Sequence, residues 1–539
     1  MTTTFAHRPL AASTSALLAT LVLGGCSGAA GISAPTAPVR QTACAPSATV
    51  DLQAGQTRVL SAAEAACMQV TAHGGARYVL AAFDGRAVNS AQAGVESGPT
   101  GDLTYDIGDG SGGLASTALP NAMRASSGTD VAGPKMDATL HASASAPDAL
   151  DPFDRTTPWR EGETFPVRRV ESNEVVSARV ARVTGRMVLA VVDADAGDGK
   201  FTKDAIKALD YMAREGVPVL DRVFGERKPT TSDASGQILV LLTAWNPDNG
   251  TGATRTDSRA DGSGIHSFVI LNTNLRGGVR PGYEMYDYPA FRLKVIAHEL
   301  THAWQMRYAY ETQSGADRRV SMGAAWAMEG SADLVSVDLL RRYLGIGLTS
   351  NWDWSRYLHG GGEAVIYALE PAATRGLLPR GYFDASSFLR DLQVRLVRAG
   401  VPADEALAQV AAGAVEGWFG VDGAGIRRRG LADRMRATLG AGWDPRDAVL
   451  LWTATQAADD LSPSRDLDNS VYSHAGDDAE SYAWKAEYDD MRLGAAFGHH
   501  FTYPAASSFF VRVSDGGSGG TLAVRSSDPA ARWMLARVK

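Results

Sequence analysis

Three cysteines in 539 residues are too few for a disulfide-built scaffold. The two outside the N-terminal segment, Cys44 and Cys67, are too far apart for CxxC redox chemistry or a zinc knuckle. An excess of positive charge is also missing. The formal net charge is −8, arginines are scattered, and the one tight cluster is Arg427 to Arg429, so nothing resembles a nucleic-acid footprint. No run beyond the N-terminus approaches the 18 uninterrupted apolar residues that a spanning helix needs. Solenoid-period repeats are absent too. What remains is an ordinary globular composition, 45% hydrophobic and 21% charged, in a chain long enough for more than one domain.

The N-terminus reads as an export signal. His7 and Arg8 precede a short apolar run from Ala16 to Leu23, then Gly24-Gly25-Cys26-Ser27. Residues 1–25 are expected to be a signal peptide and 26–43 a small-residue tether. Leu23-Gly24-Gly25-Cys26 resembles a bacterial lipobox. That resemblance implies cleavage before Cys26, lipidation of its thiol, and an exported protein anchored in the cell envelope, at the outer membrane or cell surface. In such a compartment Cys44 and Cys67 are expected to form a disulfide closing a 23-residue loop.

Short strand patterns fill 44–120, among them Cys67-Met-Gln-Val-Thr and Arg77-Tyr-Val-Leu-Ala-Ala-Phe, and suggest a small β-sandwich. Residues 121–160 read as a linker. A central region, 161–486, shows an α+β order: strands over Val176–Val192, a helix over Thr202–Phe224, and strands at Ile238 and Phe268. Two further helices follow, from about Asp287 to Tyr310 and from Ser321 to Leu344, and then a helical lobe over 386–460. Residues 487–539 turn strand-like again, either as a second β-segment or as completion of the first sandwich. The strand Phe268-Val-Ile-Leu is a candidate free edge for an extended substrate.

Inside the first of the two helices lies His298-Glu-Leu-Thr-His302. Residues four apart share a helix face, so both imidazoles meet one point, with Glu299 about 100° around the helix. The next helix carries Glu329 and Asp333, again four apart. Two imidazoles, a carboxylate and a spare carboxylate are the parts of a water-activating zinc hydrolase.

The run Trp326-Ala-Met-Glu329-Gly330-Ser-Ala332-Asp333 together with the first motif resembles the gluzincin metallopeptidases (thermolysin-like and related peptidases), over about residues 165–400. The resemblance implies a zincin-like α+β domain flanked by β-segments. It implies one Zn2+ held by His298, His302 and Glu329, with Glu299 as general base and proton donor. Asp333 would fix a ligand histidine from behind. The implied activity is hydrolysis of a protein or peptide substrate. The oxyanion donor of such peptidases, a Tyr or His downstream, is matched here by Tyr382, with Tyr367, His359 and His474 competing. The metzincin signature is absent, since positions 305 and 308 are Gln and Tyr.

Two other readings stay open. One is a lipid-anchored binding or adhesion protein on a zincin scaffold, motivated by the flanking strands. The other is an aminopeptidase, although Gly282-Tyr-Glu284-Met-Tyr is only a loose echo of that class's preceding element. Three weaker motifs are set aside. Gly516-Gly-Ser518-Gly-Gly520 reads as a hairpin turn, because no histidine follows it. No helix opens after Gly108–Gly113, so it is no phosphate loop. Asp193-Ala-Asp195-Ala-Gly-Asp198 lacks the EF-hand glycine and reads as a helix-capping turn, with calcium as the competing possibility.

Overall fold

Strands from the two ends of the chain share sheets in the computed structural model. It describes residues 44–84, 102–110, 152, 155, 157–169, 174–196, 199–225, 236–244, 252–258, 265–273, 288–312, 325–346, 365–366, 379–417, 430–457, 491–504 and 508–538. The first part comprises β1 (Ala48–Val50), β2 (Thr57–Leu60), α1 (Ala62–Ala66), β3 (Met68–Val70), β4 (Arg77–Asp84) and β5 (Asp102–Gly108). The last comprises β13 (Arg492–Leu493), β14 (Gly498–Pro504), β15 (Ser508–Asp515), β16 (Gly520–Ser526) and β17 (Ala531–Arg537). One sheet has the order β1-β3-β16-β5-β14. The other runs β15-β4-β17-β2, with the short strand β12 (Val365–Ile366) outside β15. Strand alternation explains the packing. Tyr78, Leu80 and Ala82 of β4 face a core with Tyr105, Ile107, Phe509, Val511, Leu522 and Trp533. The C-terminal strands therefore complete the N-terminal sandwich, the second of the two arrangements expected for them.

The intervening body is built on β6 (Thr164–Arg168), β7 (Val175–Thr184), β8 (Met187–Val192), β9 (Ile238–Thr243), β10 (Gly252–Ser258) and β11 (Ile265–Asn272), in the order β10-β11-β9-β8-β7-β6. The three central strands, β8, β9 and β11, run parallel, and the outer pairings are antiparallel. Because this sheet is covered on both faces, β8 and β9 are buried throughout and apolar up to Thr243 at the end of β9. Met187, Leu189 and Val191 face the helices, whereas Val188, Ala190 and Val192 face Trp159 and Phe165. The parallel step from β8 to β9 passes through α2 (Lys200–Tyr211) and α3 (Val217–Phe224), joined by a wider π-helical turn over Met212–Gly216. The single helix expected over 202–224 is thus interrupted just before Pro218, which has no N–H to donate to the preceding turn.

Two long helices, α4 (Tyr288–Thr312) and α5 (Ala325–Leu344), then α6 (Pro379–Arg398), α7 (Ala403–Val415), α8 (Leu431–Leu439) and α9 (Pro445–Ala457), complete the body. The second sandwich sheet is buried on its outer face as well. Val79, Ala81, Phe83, Phe510 and Met534 join the main core with Val449, Leu450 and Trp452 of α9. The architecture is a mixed α/β one with three sheets. Cys44 and Cys67 form a disulfide, bridging the junction between α1 and β3 to the segment before β1. Cys26 lies outside the described residues. No helix among the described residues is long and apolar enough to cross a membrane.

Three expectations are corrected. β11, which contains Phe268, is interior, paired on both sides by β10 and β9. The edge is β10, and its sequence Gly-Ala-Thr-Arg-Thr-Asp-Ser is too polar to announce a strand. The segment Gly516–Gly520 is not a hairpin, because β15 and β16 belong to different sheets. It is a crossing turn organised by Asp515, which accepts from the backbone N–H of Gly517 (2.8 Å) and Gly519 (3.0 Å). The acids at 193–195 face protein groups. Asp195 pairs with Arg169 at 2.6 Å and accepts from Ala244 N–H at 2.9 Å, and Asp193 accepts from Ser177 at 3.2 Å. Gly199, in the left-handed region at φ 73°, opens α2 without a side-chain cap.

Candidate metal centre

α4 lies between the sheet and α5, with Ile296, Leu300 and Ala303 fully buried. That packing fixes the rotation of the helix about its axis and turns His298 and His302 toward α5, one helical turn apart. Glu329 arrives from α5. Its neighbour Gly330 permits a close crossing with α6, where an added Cβ would lie 2.6 Å from Ala385 Cβ. The glycine of the Glu-Gly-Ser-Ala run is therefore a packing requirement of the ligand helix.

His298 Nε2 is 3.1 Å from Glu329 Oε2 and 3.1 Å from His302 Nε2, and His302 Nε2 is 3.2 Å from the same oxygen. These three atoms form a nearly equilateral triangle. Their chemistry shows what belongs at its centre. His298 Nδ1 faces the Asp333 carboxylate at 2.9 Å, and His302 Nδ1 faces Gln305 Oε1 at 2.8 Å. Both partners accept, so both Nδ1 atoms carry the ring hydrogen and both Nε2 atoms present lone pairs. Three acceptors converge where only positive charge satisfies them. A cation bound by N and O at about 2.05 Å spans sides of 3.1–3.2 Å with angles near 100°, close to tetrahedral and open on one side. His298, His302 and Glu329 can hold a metal ion.

The electrostatics agree. Burial lowers the proton affinity of His298, but hydrogen bonds to Asp333 and Glu329 outweigh it and push the imidazole up to about 10. Burial likewise lowers that of His302, and Glu329 overcomes it. Burial raises that of Glu329, yet His302 and His298 pull its carboxyl down to about 2. Asp333 sits well below the usual range because Lys294 and His298 outweigh its burial. Lys294 Nζ stands 2.5 Å from Asp333 Oδ1. Glu299 shifts the other way: burial raises its carboxyl, against the pull of the two imidazoles. The hydroxyl of Thr254 on β10 lies 2.9 Å from Glu299 Oε2 and 2.6 Å from its backbone carbonyl oxygen.

The five motif residues His298, Glu299, His302, Glu329 and Asp333 are thus brought together. Tyr382 lies in the first turn of α6, inside the helix rather than before it, and its side chain lies outside the described residues. Tyr367, His359 and His474 lie wholly outside them. Lys294, Thr254, Gly252 and Gln305 are additions. Lys294 precedes His298 by four and Gln305 follows His302 by three, spacings that put each on a ligand's helix face and carried a usable signal. Thr254 and Gly252 carried none, since their strand gives no pattern. No protein-family model matches the chain, and no curated protein matches it.

Proposed function

We propose that the chain is a zinc-dependent endopeptidase with a zincin-like fold of the gluzincin type. The observation that carries this reading is the triangle of acceptor atoms from His298, His302 and Glu329, with both Nδ1 hydrogens committed elsewhere and a spare buried carboxylate, Glu299, beside it. Two imidazoles and one carboxylate with an open fourth position suit catalytic zinc. Bound zinc supplies a Lewis acid for the substrate carbonyl and makes water acidic near neutral pH.

The chain's own groups do the rest. Glu299 takes a proton from the attacking water and returns it to the leaving amine, a role that its burial-raised proton affinity suits. Thr254 holds that carboxylate on the side facing β10. β10 is an edge with no strand beyond it among the described residues, and it offers backbone groups to an extended peptide. Tyr382 is the proposed oxyanion donor. It lies one turn before Ala385, where α6 crosses α5 beside Glu329. The lipobox-like segment ending at Cys26 supports export and lipid anchoring in the cell envelope, with protein or peptide as substrate.

The test is zinc content and casein cleavage of wild type against Glu299→Gln. Wild type is expected to hold one zinc and to cleave, and the variant to hold zinc and lose cleavage. Equal cleavage by the two forms, or wild type without zinc, removes the assignment.

A further inference from the structure

We propose that Gln305 is a positioning residue of the metal centre, one that locks His302 as an Nε2 donor and ties its aim to the helix carrying Glu329. This rests on the metal-site reading above. Gln305 is fully buried. Its Oε1 accepts from His302 Nδ1 at 2.8 Å. Its Nε2 donates to the Met328 carbonyl at 2.9 Å and to Ser331 Oγ at 2.8 Å. Ser331 Oγ in turn donates to the Ala327 carbonyl at 2.6 Å, so it is free to accept from the amide.

Every bond of this chain has one permitted direction. A carbonyl oxygen only accepts, so the Nε2 end of Gln305 must face Met328. The Oε1 end must then face His302, and His302 must carry its hydrogen on Nδ1. A flipped amide would set oxygen against oxygen at Met328 and offer N–H to Nδ1. The imidazole hydrogen would then move to Nε2, where it blocks the lone pair. The orientation of one amide therefore decides whether His302 can ligate.

The same three bonds act mechanically. Met328 immediately precedes Glu329, so Gln305 joins the backbone beside one ligand to the ring of another. The two histidines are also supported differently: a carboxylate stands behind His298 and a neutral amide behind His302. Glu299, Glu329 and Asp333 already bring three carboxyl groups to the site against the one ammonium of Lys294, so a fourth acid at position 305 would crowd it.

The experiment uses the full chain, stripped with a chelator and titrated with Zn2+ against a chromophoric competitor. The forms compared are wild type, Gln305→Met, Gln305→Glu and Ser331→Ala. Gln305→Met is expected to weaken Zn2+ binding about 10- to 100-fold and to shift the visible spectrum of the Co2+-loaded protein. Gln305→Glu keeps an acceptor facing Nδ1 but sets an oxygen against the Met328 carbonyl and adds a buried acid, and it is expected to bind Zn2+ more weakly than wild type. Ser331→Ala touches no ligand and is expected to weaken binding about threefold, within the reach of an outer hydrogen bond. It carries the test if Gln305→Met fails to fold. Wild-type zinc affinity and an unchanged cobalt spectrum in the variants, whatever their melting temperature, overturn the proposal and leave the metal site standing. A wild type that takes up no Zn2+ instead overturns the metal-site reading itself.

Discussion

Replacing Gly252 with alanine should damage turnover while leaving metal binding alone. The Cβ of such an alanine would stand 2.9 Å from both Cγ and Oε1 of Glu299 and 3.0 Å from Val295 Cγ1. Carbon atoms in ordinary contact keep about 3.5–4.0 Å, so roughly 0.6–1.1 Å must be found. The glycine has no left-handed backbone, so no torsional strain confuses the result. α4 cannot recoil, because Leu300 and Ala303 on its other faces are fully buried. The Glu299 side chain must therefore turn, giving up its place beside Thr254. A misplacement of about 1 Å at a reacting group costs on the order of 100-fold in rate, and overpacking of this kind destabilises by about 1–3 kcal/mol. The assay is kcat on a protein substrate at matched zinc content, with melting temperature and Zn2+ affinity measured alongside. Full kcat in Gly252→Ala, or a fall that merely tracks lost zinc, would show that Glu299 does not depend on this contact.

Four further outcomes follow from the same geometry. Gly330→Ala should lower stability by about 1–3 kcal/mol, read as a drop in melting temperature, because its Cβ would meet Ala385 Cβ at 2.6 Å. Tyr382→Phe should lower kcat about 100-fold with KM little changed, as expected for a donor used only in the transition state. Cys67→Ser should cost about 3 kcal/mol in urea unfolding by releasing a loop of 23 residues. Asp515→Ala should cost about 2 kcal/mol at neutral pH, and its deficit should shrink as pH falls. Burial raises the Asp515 carboxyl, but backbone N–H groups of His73, Gly517 and Gly519 outweigh it and hold it below the usual range. A depressed carboxyl stabilises above its unfolded value, and that stability is lost on acidification through the folded value. A deficit constant from pH 7 to pH 2 would contradict this.

What could be read from the chain depended on how local the cause was. The ligand helix was legible because its determinants, from Val295 to Ala303, lie within three turns, and the run from Trp326 to Asp333 supplied the second ligand helix. Gln305 shares a helix face with His302, but a glutamine between Trp304 and Met306 shows no sign of Met328 and Ser331, its partners on another helix. β10 escaped because an edge strand takes its identity from the partner β11 rather than from its own residues. The sandwich was only half legible. Its strands have clear alternation, but β4 and β15 are paired across more than 400 residues, as Tyr78 opposite Val513 shows, and no local pattern encodes that distance.

The interleaved sandwich also times maturation. β4 lies between β15 and β17, and β5 between β16 and β14, so neither has a neighbour from its own end of the chain. During synthesis these strands emerge early and wait, with both edges bare, until β14 to β17 follow. A chain lacking β15 and β17 leaves the backbone of β4 unpaired along both edges, however complete its long helices are. Pairing by β14 to β17 is thus the late step that closes the early strands into sheets.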